Sequence, residues 1–383
     1  MDNRLITISQ PPLLLAGCGS LEKFFGEFQG TGHKRLYLLT IPVLKERLQA
    51  HLEHLAASGI ETEADVRITS EPTFEVFEEI LASARFFQAD AVVGIGGGSV
   101  LDTAKLLAAQ LRNSQCTRSV TGIGLLKERR TYLACVPTTS GTGSEVSPNA
   151  IFLDETDHEK KAVISPFLVP DAVCIDPELM LELPSAVTAY TGVDAFSHCL
   201  EAFVNRFAHP LTDGLALEGM RLIFTHLERA CGDGQDKEAR TALAIGSLYG
   251  GMCLGPVNTA AVHALAYPLG SRYKTAHGLS IALLLPYVLD FNLPAAESRL
   301  ARIARAIGVT DGGPEKAGAQ ACVPAIRQWL AGLGIPGRLS AIGIPAGALE
   351  EMAASAMSVQ RLLRNNVRGI SFDDALDIYK KAF

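Results

Sequence analysis

At 383 residues the chain is too long for one average domain and suits two. With 48% hydrophobic residues it can bury a large core, and a formal charge of −7 without any basic tract argues against nucleic acid as a partner. The eight cysteines (18, 116, 135, 174, 199, 231, 253 and 322) show no C-x-x-C spacing and often stand in apolar runs, which reads as reduced core thiols of a cytoplasmic protein.

Taken in order, the first signal is misleading. Leu15-Ala16-Gly17-Cys18 imitates a lipoprotein cleavage box, but only Arg4 supplies charge before it, and Pro11-Pro12 interrupts the run. Leu13–Ala16 is too short for a signal h-region and reads as a strand entering a glycine turn. No segment comes near the roughly 18 consecutive apolar residues of a membrane span, so no membrane partner is expected. Residues 1–182 then alternate strand-like and helix-like runs. Strands are expected at Leu36–Thr40, Val66–Ile68, Ala91–Ile95 and Tyr132–Val136. Helices are expected from Pro42 to about Ala57, from Thr73 to Ala89, and from about Val100 to Leu111. Such alternation, with uniformly apolar strands, predicts an α/β domain with a parallel, doubly wound sheet.

Two loops in this half suit phosphate. The strand Ala91–Ile95 runs into Gly96-Gly97-Gly98-Ser99, after which Asp102 and Lys105 lie on a helix. Consecutive glycines let an anion approach the backbone, and the positive end of the helix then faces it. A glycine-rich turn is a weak signal alone, and its place at a strand-to-helix junction strengthens it. The second loop, Pro137-Thr-Thr-Ser-Gly-Thr-Gly-Ser-Glu-Val146, packs five hydroxyl residues into seven positions after a buried strand. That density is unusual for an ordinary surface loop.

Near Pro184 the pattern changes to helices, expected at 186–206, 211–232, 236–253, 258–269, 294–307, 315–333, 346–357 and 372–382. The domain boundary is placed within Glu182-Leu-Pro-Ser185, giving an α/β domain at 1–183 and an all-helical domain at 184–383. In Gly192-Val-Asp-Ala-Phe-Ser-His198, Asp194 and His198 are four apart, on one face of a helix. Such a pair is more often a surface hydrogen bond than a ligand pair. Here, however, Val193, Phe196, Leu200 and Phe203 surround it, and His263 stands in the apolar run Ala260–Ala266. Polar groups in such company need a partner, because burying them unpaired costs about 1–3 kcal/mol each. A carboxylate and imidazoles suit a divalent first-row metal, and His277 completes a plausible set.

These segments resemble the iron-containing (group III) alcohol dehydrogenases almost end to end. The matching elements are Gly-Gly-Gly-Ser-x-x-Asp-x-Ala-Lys from Gly96, Pro-Thr-Thr-x-Gly-Thr-Gly-Ser-Glu-Val from Pro137, and Gly192–His198. His263-Ala-Leu-Ala-Tyr-Pro-Leu-Gly270, His277-Gly278 and Arg361–Arg368 also match, with Val367 where the family usually has proline. The resemblance implies a dehydroquinate synthase-like two-domain architecture and a cytoplasmic homodimer acting on a small alcohol or aldehyde. It also implies Asp194, His198, His263 and His277 as ligands of a divalent metal, Fe2+ or Zn2+. NAD or NADP would be held by Gly96, Gly97, Gly98, Ser99, Asp102, Thr138, Thr139 and Thr142, with Lys160 near its phosphates or ribose. The metal would serve as a Lewis acid while the nicotinamide exchanges hydride with the substrate.

Two departures bear on chemistry. Tyr267 stands where many relatives carry a second histidine, so it is the candidate catalytic group only as a member of a hydroxyl proton chain, and a histidine relay is not carried over. The other histidines (33, 51, 54, 158, 209 and 226) lie outside the matched motifs. Ile41 stands where NAD-selective members tend to have an aspartate, which leaves NAD versus NADP open. A dehydroquinate synthase-like lyase is the alternative enzyme. It would need cations around the metal, yet Ala242 to Ser271 holds no Lys or Arg. A metal-binding protein without turnover would leave both phosphate loops unexplained.

Overall fold

The computed structural model describes residues 4–156 and 159–383, so His158 lies outside the described residues. The chain divides into two compact units. One comprises Ile8–Thr139 and Gly143–Leu181, and the other the described residues up to Thr7, Ser140–Thr142 and Glu182–Phe383.

In the first unit the strands are β1 (Leu13–Ala16), β2 (Arg35–Leu39), β3 (Glu61–Asp65), β4 (Ala91–Gly96), β5 (Gly122–Ile123), β6 (Tyr132–Pro137), β7 (Asn149–Asp154), β8 (Glu159–Ile164) and β9 (Ala172–Ile175). The helices are α1 (Ser20–Gln29), α2 (Pro42–Arg47), α3 (Gln49–Ala57), α4 (Phe74–Phe86) and α5 (Gly98–Gln110). Six strands form one parallel sheet in the order β1-β9-β6-β4-β2-β3. Every residue of β4 and β9 is buried, as expected for strands covered on both faces. On one face Leu36, Leu38, Val93, Ile95 and Val136 meet Phe24, Phe25, Phe28, Leu44 and Leu55 of α1–α3. On the other, α5 lies so close that a Cβ on Gly94 or Gly96 would come within 2.7 Å of Ala104 or Val100. The chain leaves β2 for β3 on one side and returns to β4 on the other, so the topological switch point is the β2/β4 boundary.

Several strands differ from the sequence expectation for a common reason. The strand expected at Val66–Ile68 is instead Glu61–Asp65, a charged strand at the sheet edge that pairs only with β2. The antiparallel β7–β8 pair joins β5 in a second, three-stranded sheet that was not expected from the sequence. Its strands are short and half-buried, so their apolar signal is weak. The four-residue β9 was also not expected.

The second unit is helical: α6 (Ser185–Phe203), α7 (Pro210–Gly232), α8 (Lys237–Leu254), α9 (Ala261–Tyr273), α10 (His277–Ala306), α11 (Glu315–Gly332), α12 (Leu349–Met357), α13 (Gln360–Leu363) and α14 (Phe372–Ala382). The main correction is α10. The expected helix starts at 294, whereas the observed one begins at His277 and continues through Pro286 and Pro294, with non-helical backbone only at Ala296. The prolines hid the first half, because proline usually ends a helix and here only bends it. Among the described residues α10 alone is long and apolar enough to cross a membrane. Its Ile281, Leu283, Leu284, Leu285, Val288, Leu289, Leu300 and Ile303 are nevertheless buried in the helical core.

Two glycines set how closely α6 is packed. A Cβ on Gly192 would lie 2.4 Å from Leu227 Cδ1, and one on Gly278 would lie 2.1 Å from the backbone oxygen of Tyr190. A flexible leucine can yield to the first, but a helix carbonyl cannot yield to the second. Gly278→Ala is therefore expected to push α10 away from α6 and to destabilise the protein by roughly 1–3 kcal/mol or more. Urea unfolding of the metal-free protein measures this. An unchanged midpoint would mean that the backbone relaxes at no cost.

Candidate metal centre and nucleotide loops

Helix α6 presents Asp194, His198 and Glu201 at four- and three-residue spacings, which places them along one face. Helix α9 adds His263, and α10 adds His277 as its first residue. The four residues singled out in the sequence meet at one atom. Asp194 Oδ1 lies 3.7 Å from His198 Nε2, 3.4 Å from His263 Nε2 and 3.6 Å from His277 Nε2. Asp194, His263 and His277 offer ligand atoms all within 4.8 Å of one another. His198 completes the ring from its stacked position on His263, with centroids 4.7 Å apart. Asp194, His198 and His263 are buried, whereas the His277 side chain is 38% exposed and forms the open side.

The outward nitrogens determine which way each imidazole faces. His198 Nδ1 donates to the Gly141 carbonyl at 3.2 Å, and His263 Nδ1 donates to Glu201 Oε2 at 2.5 Å. A carbonyl and a carboxylate only accept, so each Nδ1 carries the proton and each Nε2 lone pair is turned toward Asp194. Asp194 Oδ1 and His263 Nε2 are buried and have no hydrogen-bond partner. With both Nδ1 protons turned outward, the space between these two atoms suits a positive charge, whether a proton or a metal ion.

The charge states agree with this. Burial alone would raise the Asp194 carboxyl, but His198, His277 and His263 outweigh it and hold it well below the usual carboxylate range. Burial lowers His198 and keeps it neutral, with Asp194 opposing in part. Burial also disfavours charge on His263, yet Glu201 and Asp194 raise it to about 9, so without a metal a proton takes the place of the cation. Three imidazoles and a carboxylate, two of them with orphaned buried atoms, fit a divalent first-row ion.

Sequence reading passed over Glu201 and Gly141. Glu201 was legible, since it lies three residues beyond His198 on the same helix face. Gly141 was not, because a carbonyl leaves no trace in residue type. Tyr267 lies one turn beyond His263 on α9, with its ring 6.5 Å from that of His277. It packs against the buried apolar cluster of Ala264, Leu362 and Leu363.

The two glycine- and hydroxyl-rich loops leave the sheet side by side. Gly96 pairs with Pro137, and Thr138 N donates to Gly96 O at 3.0 Å. Gly97 precedes α5, no side chain caps that helix, and Gly98 and Ser99 form its first turn. A Cβ on Gly97 would make only an ordinary 3.7 Å contact with Thr139, so the protein itself leaves space there. Thr138 is buried, Thr139 and Thr142 are half-buried, and Thr142 belongs with Ser140 and Gly141 to the helical unit. Asp102 is engaged by the protein. Its carboxylate accepts from Ser144 Oγ and from Ile151 N at 2.9 Å, and it pairs with Lys105 at 3.1 Å. The fully buried Lys105 donates to Ser144 O at 2.8 Å and to Asn149 O. Together the pair ties residues 144–151 to α5. Lys160 forms an ion pair with Glu71 at 2.6 Å.

Comparison with known proteins agrees along the whole chain. Residues 11–177 match the iron-containing alcohol dehydrogenase family, and residues 188–383 match the C-terminal part of the Fe-containing alcohol dehydrogenase family. Long-chain-alcohol dehydrogenase 1 of Geobacillus thermodenitrificans is 36% identical, over 97% of this chain and 95% of its own length. NAD-dependent methanol dehydrogenase of Bacillus methanolicus is 28% identical, over 97% and 98%. The crystal structure of a 1,3-propanediol oxidoreductase superposes with a TM-score of 0.95 at 30% identity, covering 99% of this chain and all of that one. The fold and the matches define an oxidoreductase acting on CH–OH groups, and they give no support to the lyase alternative. The chain belongs to the iron-containing alcohol dehydrogenase family.

One acid of the hydroxyl-rich loop has a testable titration. Glu145 is 2% exposed, and burial pushes its carboxyl up to about 7 against the opposing pull of a backbone hydrogen bond and Lys105. The folded pKa lies above the unfolded one, so the folded state holds the proton more tightly. The resulting stability is complete below pH 4.5 and is lost as pH rises to about 7. Glu145→Gln is therefore expected to be more stable than wild type at pH 8, by on the order of 3 kcal/mol, with the advantage gone near pH 4. Melting temperatures at the two pH values check this, and an equal difference at both would refute it.

Proposed function

We propose that Asp194, His198, His263 and His277 hold one divalent ion, iron(II) or zinc, in an alcohol dehydrogenase that uses NAD or NADP. The observation that carries this reading is the pair of buried atoms, Asp194 Oδ1 and His263 Nε2, which face each other at 3.4 Å without a hydrogen-bond partner. When bound, the ion would supply Lewis acidity at the oxygen of a small alcohol or aldehyde, and the nicotinamide would supply or accept the hydride. The protein's part is to hold the imidazoles in one tautomer. Gly141 and Glu201 do so by accepting from the Nδ1 atoms, which leaves the Nε2 atoms as ligands. The substrate class is supported by the names of the relatives, which range from methanol to long-chain alcohols.

Gly96, Gly97, Gly98 and Ser99, with Thr138, Thr139 and Thr142, are our cofactor-binding set. The uncapped start of α5 supports this, because a helix N-terminus free of side-chain caps suits a pyrophosphate. Asp102 belongs to the same set and also fixes the second loop, and Lys160 joins it from its ion pair with Glu71. Ile41, which caps α2 directly after β2, brings no carboxylate to repel a 2′-phosphate. The name of the Bacillus methanolicus relative favours NAD, and we keep NADP as the second candidate. The cytoplasmic homodimer is inferred from the family resemblance, and the free thiols are in keeping with a reducing compartment.

The decisive test is His263→Ala. It is expected to abolish stoichiometric metal and NAD(P)H-dependent reduction of small aldehydes while leaving the circular dichroism spectrum intact. Retained metal would remove His263 from the ligand set. Proton delivery gives a second test. With His198, His263 and His277 assigned to the ion, we infer that the proton travels through water and ribose hydroxyls, with Tyr267 at most a relay. Tyr267→Phe should then keep metal content and lower kcat by less than roughly tenfold, whereas loss of an essential general acid would cost about 10²–10⁴.

A further inference from the structure

We propose that Glu201 is the positioning residue of the metal centre: it locks His263 as an Nε2 ligand and supplies the second negative charge that balances a divalent ion. This inference rests on the metal reading above. Glu201 is 4% exposed, and among the described residues its only ionic partner is His263. Its two oxygens are both used. Oε1 accepts from Val262 N at 2.6 Å, and Oε2 accepts from His263 Nδ1 at 2.5 Å. Val262 and His263 are the second and third residues of α9, whose N-terminus has no side-chain cap of its own. One carboxylate from α6 thus caps α9 at its positive end and orients the ligand one residue further on.

With His263 neutral, as a metal ligand must be, a buried carboxylate bound only to that ring and an amide carries an uncompensated charge. Asp194 carries a second, with its Oδ1 at the shared focus. Two such charges are neutralised together by one divalent cation and not by one monovalent cation. Removing Glu201's charge should therefore weaken metal binding even where its shape is kept.

Glutamine provides that test. Its carbonyl can keep the Val262 bond, but its amide then donates to His263 Nδ1. That forces the proton onto Nε2, where the metal must bind. We expect full-length Glu201→Gln, titrated with Co2+ against a chelator of known affinity, to bind 10- to 100-fold more weakly than wild type. The visible Co2+ spectrum should also change, because the ligand field at His263 is altered. Melting of the metal-free protein, measured alongside, separates the capping role from the positioning role. Affinity within threefold of wild type and an unchanged spectrum would overturn the proposal, whatever the melting temperature does. Should Glu201→Gln not fold, Glu201→Asp carries the test: it keeps the charge but withdraws it by one methylene, so an intermediate loss supports the proposal and wild-type affinity overturns it. A wild-type protein that takes up no stoichiometric Co2+ would overturn the metal reading itself.

Discussion

One carboxylate oxygen facing three imidazole nitrogens is the constraint on which the helical unit depends. Asp194 Oδ1 stands 3.4–3.7 Å from three Nε2 atoms contributed by α6, α9 and α10. Such a focus draws four polar groups into a largely buried setting, so each must be fixed by its neighbours. It is held from behind. Glu201 fixes His263, the Gly141 carbonyl fixes His198, and His277 begins a helix that Gly278 allows to rest on the Tyr190 carbonyl. Gly250 likewise lets α8 approach His198, where an added Cβ would lie 3.1 Å from the His198 Cβ. The convergence is thus built by close backbone approach, and the surrounding core of Val193, Phe196, Val262 and Leu265 keeps water out and raises the strength of every charge within.

The nucleotide-type unit uses the same device with opposite chemistry. Gly94 and Gly96 bring α5 against β4, so the first turn of the helix meets the end of the strand. What holds the neighbouring loop is a buried lysine. Lys105 is wholly enclosed and spends its donors on the carbonyls of residues 144 and 149, with Asp102 as counter-charge. A buried ammonium without these acceptors and counter-charge would cost several kcal/mol. The conspicuous Asp and Lys of the first motif therefore act on the loop's shape.

Legibility followed from how each element encodes itself. The buried parallel strands β4 and β6 were readable because both faces are covered and the apolar run is continuous. The charged edge strand β3 and the half-exposed β7 and β8 lack that signal, and tertiary pairing overrides their composition. Helix α10 was half hidden, since Pro286 and Pro294 argue locally for a break that packing against α6, α9 and α11 prevents. On the candidate site, Asp194, His198 and Glu201 share one helix, so their convergence follows from spacing alone. That His263 and His277 join them depends on tertiary structure, and spacing could not have shown it. The glycine carbonyl behind His198 was beyond any residue-type argument.

The residue after the ligand turn of α9 shows how the site distributes its chemistry. Tyr267 occupies the position one turn beyond His263, against Ala264, Leu362 and Leu363. An imidazole there would be a fourth ring beside a cation, free either to compete as a ligand or to carry a proton into the positive field. A phenol offers no imidazole lone pair and brings no imidazolium charge. Its hydroxyl can still accept and donate a hydrogen bond. With tyrosine there, this turn of α9 adds no further imidazole beside the Asp194 cluster, and the aromatic ring rests on apolar neighbours.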